Sequence, residues 1–308
     1  MSFQVILTQM AIIVIFLAIG YFVRKTNRIQ SLTIKDLSWV MINITSPAQI
    51  LSSVLNTDNP PAKTGALEIL ALTGICYAIL LPMGFAAGPL LRAKKSDYRF
   101  YNAMTVFGNT GFIGIPLGAA ILGETGGFYM AITCLSFNLI FYTYGFVLLK
   151  KEGQEGSGIS LKLIINPGTV TAVLSMIIFF LDIHFPHIVN QTVLYMSNSV
   201  TFFAIFIIGC NLADAPLRKM LTNRQMYAFV IFRQLFLPII LILIMKRFIA
   251  DETILGTMAI FLSVPVANTP SMVATANGLD VTTITEVTVS TALFSVITRT
   301  ACLLVAAM

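Results

Sequence analysis

Ten apolar stretches, each near the length needed to cross a bilayer and joined by short polar connections, leave this chain little choice of fold. They run at 4–23, 37–56, 66–91, 100–122, 127–149, 159–183, 191–212, 225–245, 254–276 and 282–307. About 20 helical residues cover the ~30 Å hydrocarbon core. With no water inside to satisfy backbone N–H and C=O groups, each stretch must close its hydrogen bonds internally as a helix. The balance of 57% hydrophobic against 10% charged residues leaves too little polar surface for a soluble domain of this size, where ~25% is charged. The chain therefore reads as an all-α polytopic membrane protein of ten transmembrane helices. Its net charge of +6 points to lipid and not to nucleic acid. No basic residue precedes the first stretch, which reads as a first span and not a cleaved signal. Cys76, Cys134, Cys210 and Cys302 all fall within apolar stretches without metal or redox spacing, and read as small packing residues.

The basic residues orient the bundle. Arg24, Lys25, Arg28 and Lys35 lie in the first connection, Arg92, Lys94, Lys95 and Arg99 in the third, Lys150, Lys151 and Lys162 in or beside the fifth, and Arg218, Lys219 and Arg224 in the seventh. The even-numbered connections hold Lys63, Lys246 and Arg247. The positive-inside rule makes the odd connections cytoplasmic and puts both termini outside the plasma membrane, as in a bacterial inner membrane. A linker-like segment at 150–158 divides the chain into residues 1–149 and 159–308. Each part carries five spans, so the second must enter the membrane inverted relative to the first, as in many secondary transporters.

Spans four and nine carry the chemistry. Span four contains Gly108-Asn109-Thr110-Gly111-Phe112-Ile113-Gly114-Ile115-Pro116 at mid-membrane depth, and span nine contains Pro265-Val266-Ala267-Asn268-Thr269-Pro270-Ser271. In a helix interior Gly costs ~1 kcal/mol and Pro ~3 kcal/mol relative to Ala. Both spans are expected to break and cross, with Pro116 freeing the carbonyl of Phe112. The N-termini of the second half-helices would then turn free N–H groups and positive dipole ends toward one cavity, an arrangement suited to an anion. The candidate substrate site comprises Asn109, Thr110, Gly111 and Pro116 on span four, Pro265, Asn268, Thr269, Pro270 and Ser271 on span nine, Asn43 on span two, and Arg233 on span eight. The polar residues Thr45, Ser46 and Gln49 of span two and Ser197, Asn198, Ser199 and Thr201 of span seven are placed to line the same space or to bond between helices.

The run Phe107 to Leu117 resembles the span-four signature of the auxin efflux carrier family, which includes bacterial malate and malonate permeases and plant auxin exporters. Ser46-Pro47-Ala48-Gln49-Ile50-Leu51, Ile208-Gly209-Cys210-Asn211-Leu212-Ala213 and Val264-Pro265-Val266-Ala267-Asn268 add to the likeness, which runs the length of the chain. The resemblance implies two inverted five-helix repeats, a scaffold part and a transport part, and a pocket by the crossing of spans four and nine with Asn109 in it. It also implies carriage of a small organic anion such as malate. Many relatives have a proline in span seven where this chain has Phe202, and the short central connection is similar to that of prokaryotic members.

Ionisable residues inside spans mark function by default. Arg233 lies about eight residues, or ~12 Å, from the cytoplasmic end, where an anion, Glu286 or the interface could take its charge. Arg299 is expected to find an internal partner or to snorkel outward, and His184 and His187 to be solvated. The chain has no H-E-x-x-H and no paired intramembrane aspartates, so an intramembrane hydrolase is not expected. The reading is a permease and not an enzyme, without metal or cofactor, with the anion, the bilayer and a second copy in a homodimer as partners. A sodium- or proton-coupled symporter and a membrane sensor remain the alternatives.

Overall fold

The computed structural model describes residues 3–56, 61–150, 165–214 and 223–308. Lys151, Lys162, Arg218, Lys219 and all but the first residue of the 150–158 linker lie outside these. Among the described residues the secondary structure is helical apart from one isolated bridge between two backbone segments. The helices are α1 Phe3–Lys25, α2 Ser31–Val40, α3 Ser46–Leu55, α4 Lys63–Leu90, α5 Tyr98–Val106, α6 Ile115–Ile140 and α7 Phe146–Leu148. There follow α8 Pro167–Phe180, α9 His187–Asp214, α10 Arg224–Ile231, α11 Leu237–Met245, α12 Glu252–Ser263, α13 Asn268–Ala276 and α14 Thr282–Ala307. Five stretches among the described residues are long and apolar enough to cross a membrane: Lys63–Leu90, Thr110–Leu148, His187–Asp214, Arg224–Met245 and Thr282–Ala307. Pro167–Phe180 and Glu252–Ser263 are shorter apolar helices.

Several of these elements join through widened π turns, and three of the turns have one cause. Met41–Thr45, Thr110–Gly114 and Phe232–Phe236 each stand two residues before a proline, Pro47, Pro116 or Pro238. A proline ring pushes away the carbonyl four residues back, so the turn opens. The residue before each proline then donates five residues back, Ser46 to Met41, Ile115 to Thr110 and Leu237 to Phe232.

The 39-residue stretch Thr110–Leu148 would be ~58 Å long if straight, nearly twice the hydrocarbon thickness. It is not straight. Gly123, with φ +74° and ψ −168°, turns the chain back on itself, a conformation open to glycine because it lacks a Cβ. A Cβ added to Gly118 would stand 2.7 Å from the carbonyl oxygen of Gly126, which in an unbroken helix would lie ~12 Å away along the axis. The two arms thus pack through small residues, the usual device for close helix contact in lipid.

The helices pack in two sets, which meet where α6 lies against α8 and α3. In one, α1 runs against α9, and α9 against α3, which in turn packs on α8. The α1–α9 contact is so close that a Cβ on Gly20 would collide with the Phe206 carbonyl, and one on Gly209 with that of Leu17. Phe202 stands in an unbroken α9 and meets Phe16 of α1 edge-on at 5.3 Å, so the kink a proline would bring is replaced by an aromatic contact. The other group joins α4 to α5 and α6, α6 to α12, and α14 to α11 and α12.

Polar contacts gather at the two ends of the bundle. At one end Arg24 pairs with Asp214 at 2.9 Å, Gln225 donates to the Arg92 carbonyl, Arg99 to that of Lys150, Thr283 to Asp97 and Asn277 to the Leu149 carbonyl. At the other, Lys63 pairs with Asp182 at 2.8 Å and Asn56 donates to the Asn190 carbonyl. The four cysteines are free and buried, as their apolar flanks suggest.

Candidate functional site

Span four is interrupted at Phe107–Asn109, between α5 and the π turn that leads into α6, and span nine at 264–267, between α12 and α13. Each interruption repairs the other. The Asn109 N–H donates to the Pro265 carbonyl at 2.8 Å and the Ala267 N–H to the Phe107 carbonyl at 3.0 Å, making an antiparallel bridge between Gly108 and Val266. The Val266 N–H is taken by Thr291 Oγ1 of α14 at 3.2 Å. Irregular backbone inside a bilayer survives only where protein satisfies it, and here the two breaks are each other's partners. Gly108 lets them meet, because a Cβ there would stand 2.7 Å from Val264 Cγ2.

The break therefore lies at the start of the expected run 108–116 and several residues before its proline, Pro116. Pro116 is the second residue of α6 and Pro270 the third of α13, positions in a first turn where the missing N–H has little intrahelical use. Asn109 makes the corner. Its φ of −79° and ψ of 65° form a tight turn closed by the Thr110 N–H on the Gly108 carbonyl at 2.9 Å, and its Oδ1 accepts from the Phe112 N–H at 3.2 Å as a helix cap. Its Nδ2 is buried and has no partner. At 3% exposed, the residue leaves one amide donor unused beside a cavity.

That first cavity, of about 250 Å³, is lined by Asn109, Thr110, Gly111 and Thr269 of the two broken spans, by Ile42, Ser46 and Ile50, and by Cys134, Phe137, Asn138 and Tyr142. Asn166 and Gly168 at the start of α8 close one side, and none of the lining side chains carries a charge. Asn166 caps α8 by accepting from the Thr169 N–H at 3.0 Å, and the Asn138 amide lies against Gly168. A second cavity, of about 540 Å³, lies at the Lys35 end and holds Asn211, Asn268, Ser271, Thr285 and Thr288. Phe112 and Met272 line both and stand between them. A third, of about 420 Å³, has Gln49, Asn56, Pro116, Glu124, Ser197, Asn198 and Thr201 on its wall.

The sequence-derived set is thus divided. Asn109, Thr110, Gly111 and Thr269 share the first cavity, Asn268 and Ser271 face the second, and Pro116 faces the third. Pro265 serves through its carbonyl in the bridge, while Pro270 is buried in α13. The Asn43 amide folds back to the Trp39 carbonyl at 2.9 Å on its own helix. Arg233 lines none of the three cavities: it is 1% exposed, its Nη1 donates to the Leu262 carbonyl at 2.7 Å, and it forms no ion pair with Glu286. Arg299 does not snorkel but is fully buried, with Nη2 on Ser295 Oγ at 2.6 Å. Asn138, Tyr142 and Asn166 were not expected from the sequence. Only Asn166 had a usable signal, an asparagine directly before Pro167 at a helix start.

A family model described as membrane transport protein matches two segments, residues 5–159 and 156–302. An uncharacterized transporter of Methanocaldococcus jannaschii is 24% identical over 218 residues, 67% of this chain and 69% of its own length. A bundle of apolar helices built around paired helix breaks, a match running over nearly the whole chain, and a transporter as relative agree with one another. This protein is a membrane transporter and not an enzyme, and it belongs to the membrane transport protein family, that of the auxin efflux carriers.

Proposed function

We propose that the protein carries a small organic anion, such as a carboxylate, across the plasma membrane by alternating access, and that the anion sits in the first cavity against Asn109. One observation carries this reading: at the N-terminus of a half-helix, Asn109 lines an uncharged cavity while its Nδ2 is buried without a partner. The partial positive charge of about +0.5 at such a terminus and the amide donor together favour a carboxylate. Thr110 and the Gly111 backbone at the same turn, with Thr269 and Asn138 across the cavity, supply further polar contacts. Asn268 and Ser271 act in the second cavity as the approach from the Lys35 end, with Phe112 and Met272 as the partition that must move.

In this reading ten spans form two inverted repeats, 1–149 and 159–308, around the crossing. The odd connections face the cytoplasm and both termini lie outside. The group of α1, α3, α8 and α9 is the scaffold against which the other helices shift. Malate is one substrate of suitable size, although a second carboxylate would find no charged side chain in the first cavity. A ligand panel tests the proposal. Purified protein melted with mono- and dicarboxylates should be stabilised by a subset of them, by RT ln(1 + [L]/Kd), and Asn109→Ala should abolish the shift. Stabilisation by no anion, or one that Asn109→Ala retains in full, would remove its basis.

A further inference from the structure

We propose that Arg233 is a built-in cation of the crossing, doing there what a bound coupling ion does in transporters with similar helix breaks. The two half-helices that enter the crossing, α5 and α12, both end at it. Their carboxyl ends carry about −0.5 charge apiece, and in broken transporter helices such ends with unwound carbonyls are where sodium binds. The Arg233 guanidinium occupies this position. Nη1 is 2.7 Å from the Leu262 carbonyl in the last turn of α12, and a Cβ on Gly108, two residues beyond α5, would be 3.2 Å from Nη2. The absence of a side chain at Gly108 is what lets the charge come this close. No carboxylate among the described residues pairs with Arg233, so the two helix ends, together about −1, are its counter-charge.

A guanidinium stays protonated and cannot diffuse away. The crossing of this chain is therefore permanently neutralised and takes no sodium. The consequence for coupling rests on the transport reading above, whereas the consequence for stability does not.

The test melts purified wild type, Arg233→Ala and Arg233→Lys in choline, sodium or low-millimolar guanidinium chloride at equal ionic strength. Wild type and Arg233→Lys should melt alike in all three. Arg233→Ala should melt lower in choline and regain about 2 °C or more with guanidinium or sodium, which refill the vacated position. Sodium-specific stabilisation of wild type or Arg233→Lys would overturn the proposal. So would an Arg233→Ala protein as stable as wild type in choline, or one that no cation restores. If Arg233→Ala does not accumulate, the other two proteins decide: indifference to sodium in both supports the tethered cation, and a sodium response in either refutes it. In proteoliposomes with an anion identified from the panel, wild-type flux should be unchanged when choline replaces sodium, and Arg233→Ala should lose tenfold or more and recover with guanidinium. Failure to find any transported anion with the melting pattern intact would count against the substrate reading and leave Arg233 in place.

Discussion

Replacing Asn109 by aspartate separates the two tasks assigned to this side chain. Asn109→Asp keeps the oxygen that accepts from the Phe112 N–H, now as a carboxylate at a positive helix end, so the cap should hold or gain ~0.3–1 kcal/mol. It removes the unpartnered Nδ2 donor and puts a negative charge in its place. Losing a hydrogen bond to a charged ligand costs ~1.5–3 kcal/mol. Two unit charges ~4 Å apart at an effective dielectric of ~20 repel by ~4 kcal/mol. Together these give ~5–7 kcal/mol, more than a thousandfold loss at ~1.4 kcal/mol per tenfold, although protonation of the new acid would relieve part of it. Asn109→Ala instead loses the donor and the cap, so transport should fall by tenfold or more and stability by ~1 kcal/mol. The assays are efflux of a radiolabelled anion from proteoliposomes and the melting temperature of each purified variant. An Asn109→Asp protein that is as stable as wild type and transports normally would show that Asn109 only caps its half-helix.

Three further outcomes follow from the same geometry. Gly108→Ala should destabilise by ~1–3 kcal/mol in a melting experiment, because its Cβ would stand 2.7 Å from Val264 Cγ2 and 3.2 Å from Arg233 Nη2; an unchanged melting temperature would mean the breaks are not held in contact. In a variant lacking the four native cysteines, a cysteine at Ser157 should react with an impermeant thiol reagent only from the cytoplasm and one at Asn59 only from outside, and the reverse pattern would invert the proposed orientation. With no Asp, Glu or His on the first cavity, efflux of a monoanion should be insensitive to pH between about 6 and 8 and accelerate under an inside-negative potential, which supplies ~2.3 kcal/mol per 100 mV; flux that follows a proton gradient and ignores the potential would refute this.

The helices were legible because their signal is local. Hydropathy located most described helices to within a few residues of the stretch expected; α2 begins at Ser31, six residues before the stretch at 37, and α8 begins at Pro167, set by the Asn166 cap and not by the apolar run. The existence of both breaks was legible from Gly and Pro, but their place was not. Asn109 and Pro265 fix it by a hydrogen bond between segments 156 positions apart, and no local propensity records which carbonyl will be waiting. Arg233 shows the same limit: its depth could be counted from the end of the span, yet its partner, the Leu262 carbonyl, is an acceptor made available by the end of α12. Asn138 and Tyr142 belong to a run on span five that also holds Ser136, Thr143 and Tyr144, and such polar residues read equally well as interhelical bonds.

The crossing has a polarity that the candidate residues follow. At the ends of α5 and α12 the backbone presents carbonyls, and the group fixed there is a cation, Arg233. At the start of the half-helix after Asn109 the backbone presents N–H groups, and the side chain fixed there keeps a spare donor beside an uncharged cavity. A permanently filled cation position and an open anion position are not interchangeable. The first makes the helix ends tolerable in a bilayer, while the second leaves a need that only an incoming ligand can meet. In the proposed reading the cavity itself adds no charge, so the net charge moved is the ligand's own and the flux is expected to follow the membrane potential.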